Sequence, residues 1–133
     1  MFEEVNKRLK ILIVEPGKHP HEADVPHTLK DMQRIVGGYI ETVYPWEDHV
    51  CLVCNEEGLY QATEWNRYIA EGVAIKGTFF VCGLGEENLT DLAPEFMEKY
   101  KRLLWSPHLF IRLPQGLYVF DLDTGGVVVE IPG

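Results

Sequence analysis

The sequence predicts an α+β fold: a mixed or antiparallel sheet with two main helices and one short helix. Three observations carry that expectation. Strand-length apolar runs recur at 11–14, 50–54 and 73–82; two stretches, after Thr28 and after Pro94, place apolar side chains at helical spacing; and the chain closes on three β-rich runs separated by turns. A length of 133 residues suits one domain, 1–133, with room for a sizeable core.

In order along the chain, Ile11, Leu12, Ile13 and Val14 form an unbroken apolar run, the pattern of a strand covered on both faces, which Glu15, Pro16 and Gly17 end. Residues 18–27 hold three histidines, two prolines and two acids without apolar periodicity and read as an ordered loop. Thr28 and Asp31 then form a capping arrangement for a helix with Leu29, Met32, Ile35 and Val36 on one side and Gly37 at its left-handed end. Residues 39–44 read as an edge strand turning through Pro45, Trp46, Glu47 and Asp48 into the run 50–54. After the turn 55–58, residues 62–70 make two helical turns with Trp65 and Ile69 on one side. The run 73–82 is a strand in which Gly77 marks a bulge or a close approach. Thr90 or Asp91 caps the next helix, with Pro94 in its first turn and Phe96, Met97, Tyr100, Leu103 and Leu104 as its core stripe. Acids at its start and bases at its end complement the helix dipole. The meander 109–113, 117–122 and 127–131 follows. The first six elements thus run in the order of a ferredoxin-like βαββαβ unit, whose central first and third strands are here 11–14 and 50–54.

A formal net charge of −9 disfavours binding to a phosphate backbone, which relies on cations displacing counterions. The charged start and the absence of a long apolar run point to a cytoplasmic protein without a membrane span. Cys51, Cys54 and Cys82 lie in strand-like runs and read as reduced, buried thiols. Cys51 and Cys54 have CxxC spacing, but residues three apart on a strand face opposite ways.

The strongest ligand candidate is the set Asn55, Glu56, Asn66 and Arg67 with Tyr60 and Trp65. If the short helix folds back over the turn, Arg67 meets Glu56 or grips an anion while the amides orient it; the competing reading gives these side chains local turn and ion-pair work. His19, His21 and His27, with Glu22 and Asp24, offer the donor types of a zinc or iron site without a known metal spacing; exposed loop histidines are the alternative. Tyr39, Tyr44, Trp46, Tyr60 and Trp65 would line a cleft that stacks a planar ligand, or pack a hairpin. No nucleophile elbow, phosphate-binding glycine loop or paired-carboxylate motif stands out.

Several short motifs in fixed order, Val14 to Gly17 (VEPG), Gly37 and Gly38, Asn55 to Gly58 (NEEG), the pair Asn66 and Arg67, and Gly77 to Gly83 (GTFFVCG), make residues 11–104 similar to domain of unknown function family 3846, found in bacteria, phages and mobile elements. The meander, 108–131, lies outside that resemblance. The resemblance implies an accessory protein of a phage or mobile element and carries no reaction with it. The sequence therefore favours a non-catalytic module, without a cofactor, that binds a host protein or a small anionic ligand. The alternatives are a small nucleotide-directed or metal-assisted enzyme and an acidic mimic of nucleic acid.

Overall fold

The computed structural model describes residues 7–58 and 64–133. Its elements are β1 (Arg8–Val14), β2 (His21–Pro26), α1 (Leu29–Val36), β3 (Ile40–Val43), β4 (Val50–Asn55), β5 (Trp65–Ala70), β6 (Val73–Lys76), β7 (Phe79–Leu84), β8 (Leu89–Thr90), α2 (Pro94–Leu103), β9 (His108–Leu113), β10 (Gly116–Asp121) and β11 (Val127–Pro132). The main sheet has the order β2-β1-β7-β4-β3, with β8 added along β7, and every pairing in it is antiparallel. The class is therefore α+β, rich in antiparallel strand.

The unbroken apolar runs are explained by burial on both sheet faces. On one face Leu12, Val14, Leu52, Phe79 and Val81 pack with Met97, Tyr100 and Leu104 at α2; on the other, Leu9, Ile11, Cys51, Val53, Phe80 and Cys82 pack with Met32 and Val36 of α1. Alternate residues of β4 and β7 feed opposite layers, so the stretches Val50–Cys54 and Phe79–Cys82 must be apolar. Each fully buried Leu, Val or Phe contributes about 1.5–3 kcal/mol of transfer free energy. Cys51 and Cys54 fall in different layers, as their spacing requires, and all three thiols are free and buried.

Four expectations are corrected. The supposed loop 18–27 contains β2, which lies on the open edge of β1 in a register running from Arg8 opposite Pro26 to Ile13 opposite His21. The free edge of a buried strand supplied the pairing that HEADVP does not advertise by its pattern. The described part of the short helix is β5, hairpin-paired with β6 around Gly72, which takes the positive φ the turn needs. The run 73–82 is two strands, broken where Gly77 also adopts positive φ. With a hairpin replacing the second crossover helix, β7 inserts between β1 and β4, and the sheet does not have the ferredoxin-like order. The two strands expected to be central do lie inside the sheet.

The helix caps divide in the same way. Thr28 accepts the Asp31 amide at 3.1 Å and Gly37 closes α1 with φ 83°, as expected. α2 instead starts at Pro94 behind Ala93, which makes no side-chain cap. Thr90 is in β8, and the Asp91 carboxylate accepts the Lys10 amide at 2.8 Å, tying the α2 approach to β1. Leu103 is exposed, leaving Met97, Tyr100 and Leu104 to anchor the region. No helix among the described residues is long and apolar enough to cross a membrane.

Gly83 is required by packing. A Cβ there would collide with the Asp91 carbonyl and the Thr90 hydroxyl, where β8 crosses close to β7. Gly83→Ala is expected to lower the unfolding free energy by about 1–3 kcal/mol, measured as an earlier urea midpoint with an unchanged m value.

Candidate functional site

Asn66 and Arg67, singled out by sequence, sit side by side on β5, and both are 0% exposed. Asn66 Nδ2 donates to the Val14 carbonyl at 2.9 Å and to the Gly77 carbonyl at 2.8 Å. Its Oδ1 accepts from Arg67 Nη1 at 2.8 Å. Arg67 Nη2 donates to the Lys18 carbonyl at 2.6 Å and Nε to the Leu104 carbonyl at 3.1 Å. The pair thus joins the end of β1, the turn after it, the kink between β6 and β7, and the C-terminus of α2. These carbonyls lie at strand and helix ends, where regular structure leaves acceptors over. The guanidinium's planar fork meets several at once.

Among the described residues no carboxylate bonds Arg67 directly. Burial pushes its pKa down to about 10, opposed by the charges of Asp123 and Asp121. Both acids come from the end of β10 and the turn after it. Asp123 bonds His19 at 2.9 Å, and the His19 ring stacks on Trp105 at 4.3 Å between centroids. The Asp121 carboxyl lies below the usual range, held there first by the Thr124 amide. The same cluster includes His108, whose Nδ1 accepts the Tyr68 amide at 3.1 Å. Burial, then the charge of Arg67, lowers the His108 pKa, while Asp121 opposes the shift.

The other sequence candidates are distributed elsewhere. The guanidinium bonds go to Leu104, Asn66 and Lys18 rather than to Glu56. Asn55 and Glu56 line a cleft of about 220 Å³ between β3, β4 and β6, with Val43, Cys54 and Ile75 as apolar wall and Glu41 and Lys76 as further polar lining. Asn55 is buried and its Oδ1 accepts the Glu57 amide at 2.9 Å. Trp65 stacks on Phe110 of β9 at 5.1 Å and carries Lys76 over its ring. Tyr60 lies outside the described residues. Of the remaining aromatics, Trp46 packs on Tyr100, whereas Tyr39 and Tyr44 are exposed.

The three histidines do not converge. His19 bonds Asp123, His21 is 3.8 Å from Glu15, and His27 is buried behind β2 with its Nε2 unpartnered. Among the described residues no three His, Cys, Asp or Glu side chains group to hold a metal. A depression of about 410 Å³ beside α2 has Lys10, Glu22, Asp91 and Glu98 in its lining, but Glu22 pairs with Lys101, Asp91 with the Lys10 amide and Glu98 with Arg102.

A surface that no single residue of the sequence advertises lies on the terminal sheet, order β11-β10-β9. His108 pairs with Asp121 and Phe110 with Val119, and the Trp65–Phe110 stack turns that face toward the hairpin β5-β6. The opposite face carries the intervening pairs, Leu109 with Phe120 and Ile111 with Tyr118, flanked by Leu113 and Val127. Leu109, Leu113 and Val127 are 43%, 41% and 54% exposed, and none of the six packs against either core cluster. The signal was present as the alternation Leu109, Ile111, Leu113, which cannot by itself say which face is covered.

Two outcomes follow from the buried cluster. Arg67→Lys keeps the charge but cannot span the same carbonyls, and is expected to cost about 2–5 kcal/mol in urea unfolding. Because the folded pKa of His108 is depressed, the unfolded chain takes up its proton first as pH falls below about 6.5. Stability should decline from there toward pH 5. In His108→Asn, which retains an acceptor for the Tyr68 amide, urea midpoints over that window should be flatter.

No curated protein and no solved structure matches the chain. A family model described as Domain of unknown function (DUF3846) matches residues 9–104, more than half of the length. The chain therefore belongs to the DUF3846 family, with the main sheet, both helices and the Asn66–Arg67 clasp inside the matched region and the terminal sheet beyond it.

Proposed function

We propose that this chain is a non-catalytic accessory module that binds a protein through the outer face of its terminal sheet. The observation that carries this reading is the cluster Leu109, Ile111, Leu113, Tyr118, Phe120 and Val127 on one side of β9, β10 and β11, half-exposed at its margins. Contiguous apolar surface of this kind on a folded domain marks an interaction site. The accessory role implied by the phage and mobile-element company of the family accords with it.

A small anionic ligand fits less well. The guanidinium best suited to hold one already donates to the protein's own carbonyls. The cleft at Asn55 and Glu56 is smaller than the roughly 300–1,000 Å³ of most ligand pockets, and two carboxylates, Glu41 and Glu56, against the single Lys76 give its lining the wrong sign for an anion.

The test is competitive capture from a lysate of the source organism on immobilised protein. A specific partner should be retained by the wild-type chain and reduced at least tenfold by Leu109→Gln combined with Val127→Gln. Retention unchanged by that pair of substitutions, or turnover of a defined substrate by the purified protein, would overturn the reading.

A further inference from the structure

We infer that the terminal sheet is a flap latched by His108, which opens on acidification while the main sheet and its helices stay folded. The device does not depend on what the outer face of that sheet meets. It begins with how loosely the sheet is held. Among the described residues β9, β10 and β11 pair only with one another, so no backbone ladder joins them to the main sheet or to the hairpin β5-β6. Neither core cluster includes a residue beyond Leu104. Val119, which is buried, and Phe110, which stacks on Trp65, supply the apolar part of the attachment. Segments held by few buried apolar contacts open separately from the rest of a domain.

The polar part of the attachment turns on one atom. His108 Nδ1 accepts the Tyr68 amide at 3.1 Å, and a ring nitrogen that accepts a hydrogen bond carries no proton. The neutral ring therefore holds its proton on Nε2, and the second proton of an imidazolium has no place but Nδ1. There it would meet the amide hydrogen of Tyr68 head-on. The latch and the imidazolium thus exclude one another. Charged groups around the ring divide: Arg67 of β5 repels an added positive charge, and Asp121 of β10 attracts it. Asp123, in the turn after β10, acts on Arg67 and is itself bonded to His19. Burial and Arg67 together outweigh Asp121, so the His108 pKa is lowered. The Asp121 carboxyl, below the usual carboxylate range, stays charged throughout mild acidification and is not the group that switches.

In the open flap the ring stands in water with an ordinary pKa of about 6.5. The open form consequently binds the proton more tightly. Opening is favoured by up to about tenfold for each pH unit below that value, until the closed form takes up the proton as well. A small sheet lifted from its support is marginal by itself, so its ladder amides exchange when the flap opens. Opening also uncovers Val119 and the face of Phe110 that Trp65 covers, and acidification thereby changes the surface that the molecule offers.

Hydrogen exchange of the full chain, followed by mass spectrometry between about pH 7.5 and about pH 5 with each rate divided by the intrinsic rate at that pH, tests the latch. The terminal sheet should exchange at least about tenfold faster than β4 and β7 at every pH, the mark of an opening that leaves the main sheet intact. Its protection should fall about fivefold or more across the window. His108→Asn keeps an acceptor for the Tyr68 amide but no proton site, and should hold that protection flat. Asp121→Asn keeps an acceptor for the Thr124 amide and removes the charge that favours the imidazolium, and should deepen the fall. Equal protection in the two sheets, terminal-sheet protection that acid leaves unchanged, or a fall undiminished in His108→Asn would overturn the inference. So would a fall in Asp121→Asn no deeper than the wild type's, which is the deciding result should His108→Asn fail to dock at neutral pH.

Discussion

The guanidinium of Arg67 is the constraint on which the arrangement depends. A buried cation is costly unless its donors are met, and here they are met by the amide oxygen of Asn66 and by the carbonyls of Lys18 and Leu104. Each of those carbonyls ends or follows a regular element and would otherwise need water. The arginine and the loose chain ends therefore satisfy one another. This mutual requirement fixes where the hairpin β5-β6 lies, how α2 terminates and where the turn after β1 passes.

The second consequence concerns the division of the molecule. The family match ends at residue 104, and Leu104 supplies the carbonyl held by Arg67 Nε. The matched region closes on its own clasp. The terminal sheet begins a few residues later and joins this region through the Tyr68–His108 hydrogen bond, the Trp65–Phe110 stack and the His19–Asp123 bond. Those contacts occupy its inner side. Substitution on the outer side consequently bears on what the sheet meets rather than on how the sheet is held.

Legibility in the sequence followed the strength of the local signal. Ile11 to Val14 and Val50 to Cys54 were readable because burial on both faces leaves no polar position in a strand. The cap at Thr28 was readable for an equally local reason, whereas Gly77, read as a bulge or close approach within one strand, separates β6 from β7. β2 was not, because its pairing is dictated by the unfilled edge of β1 and its own side chains are largely exposed. β5 was mistaken for helix because Trp65 and Ile69 are four apart, a spacing that also fits alternate positions of a strand. Asn66 and Arg67 stood out by chemistry, but only the fold shows that their partners are carbonyls from distant segments rather than Glu56.

Charge patterning adds the last step. Among the described residues six acids of the main body pair with bases: Glu15 with Lys18, Glu22 with Lys101, Asp24 with Arg8, Asp31 with Arg34, Asp48 with Lys99 and Glu98 with Arg102. Pairing consumes most of the scarce bases there. Exposed pairs of this kind contribute only about 0–1 kcal/mol each, so their main effect is to place the charge, not to stabilise the fold. What remains is an acidic body joined to a terminal sheet with an almost uncharged outer face.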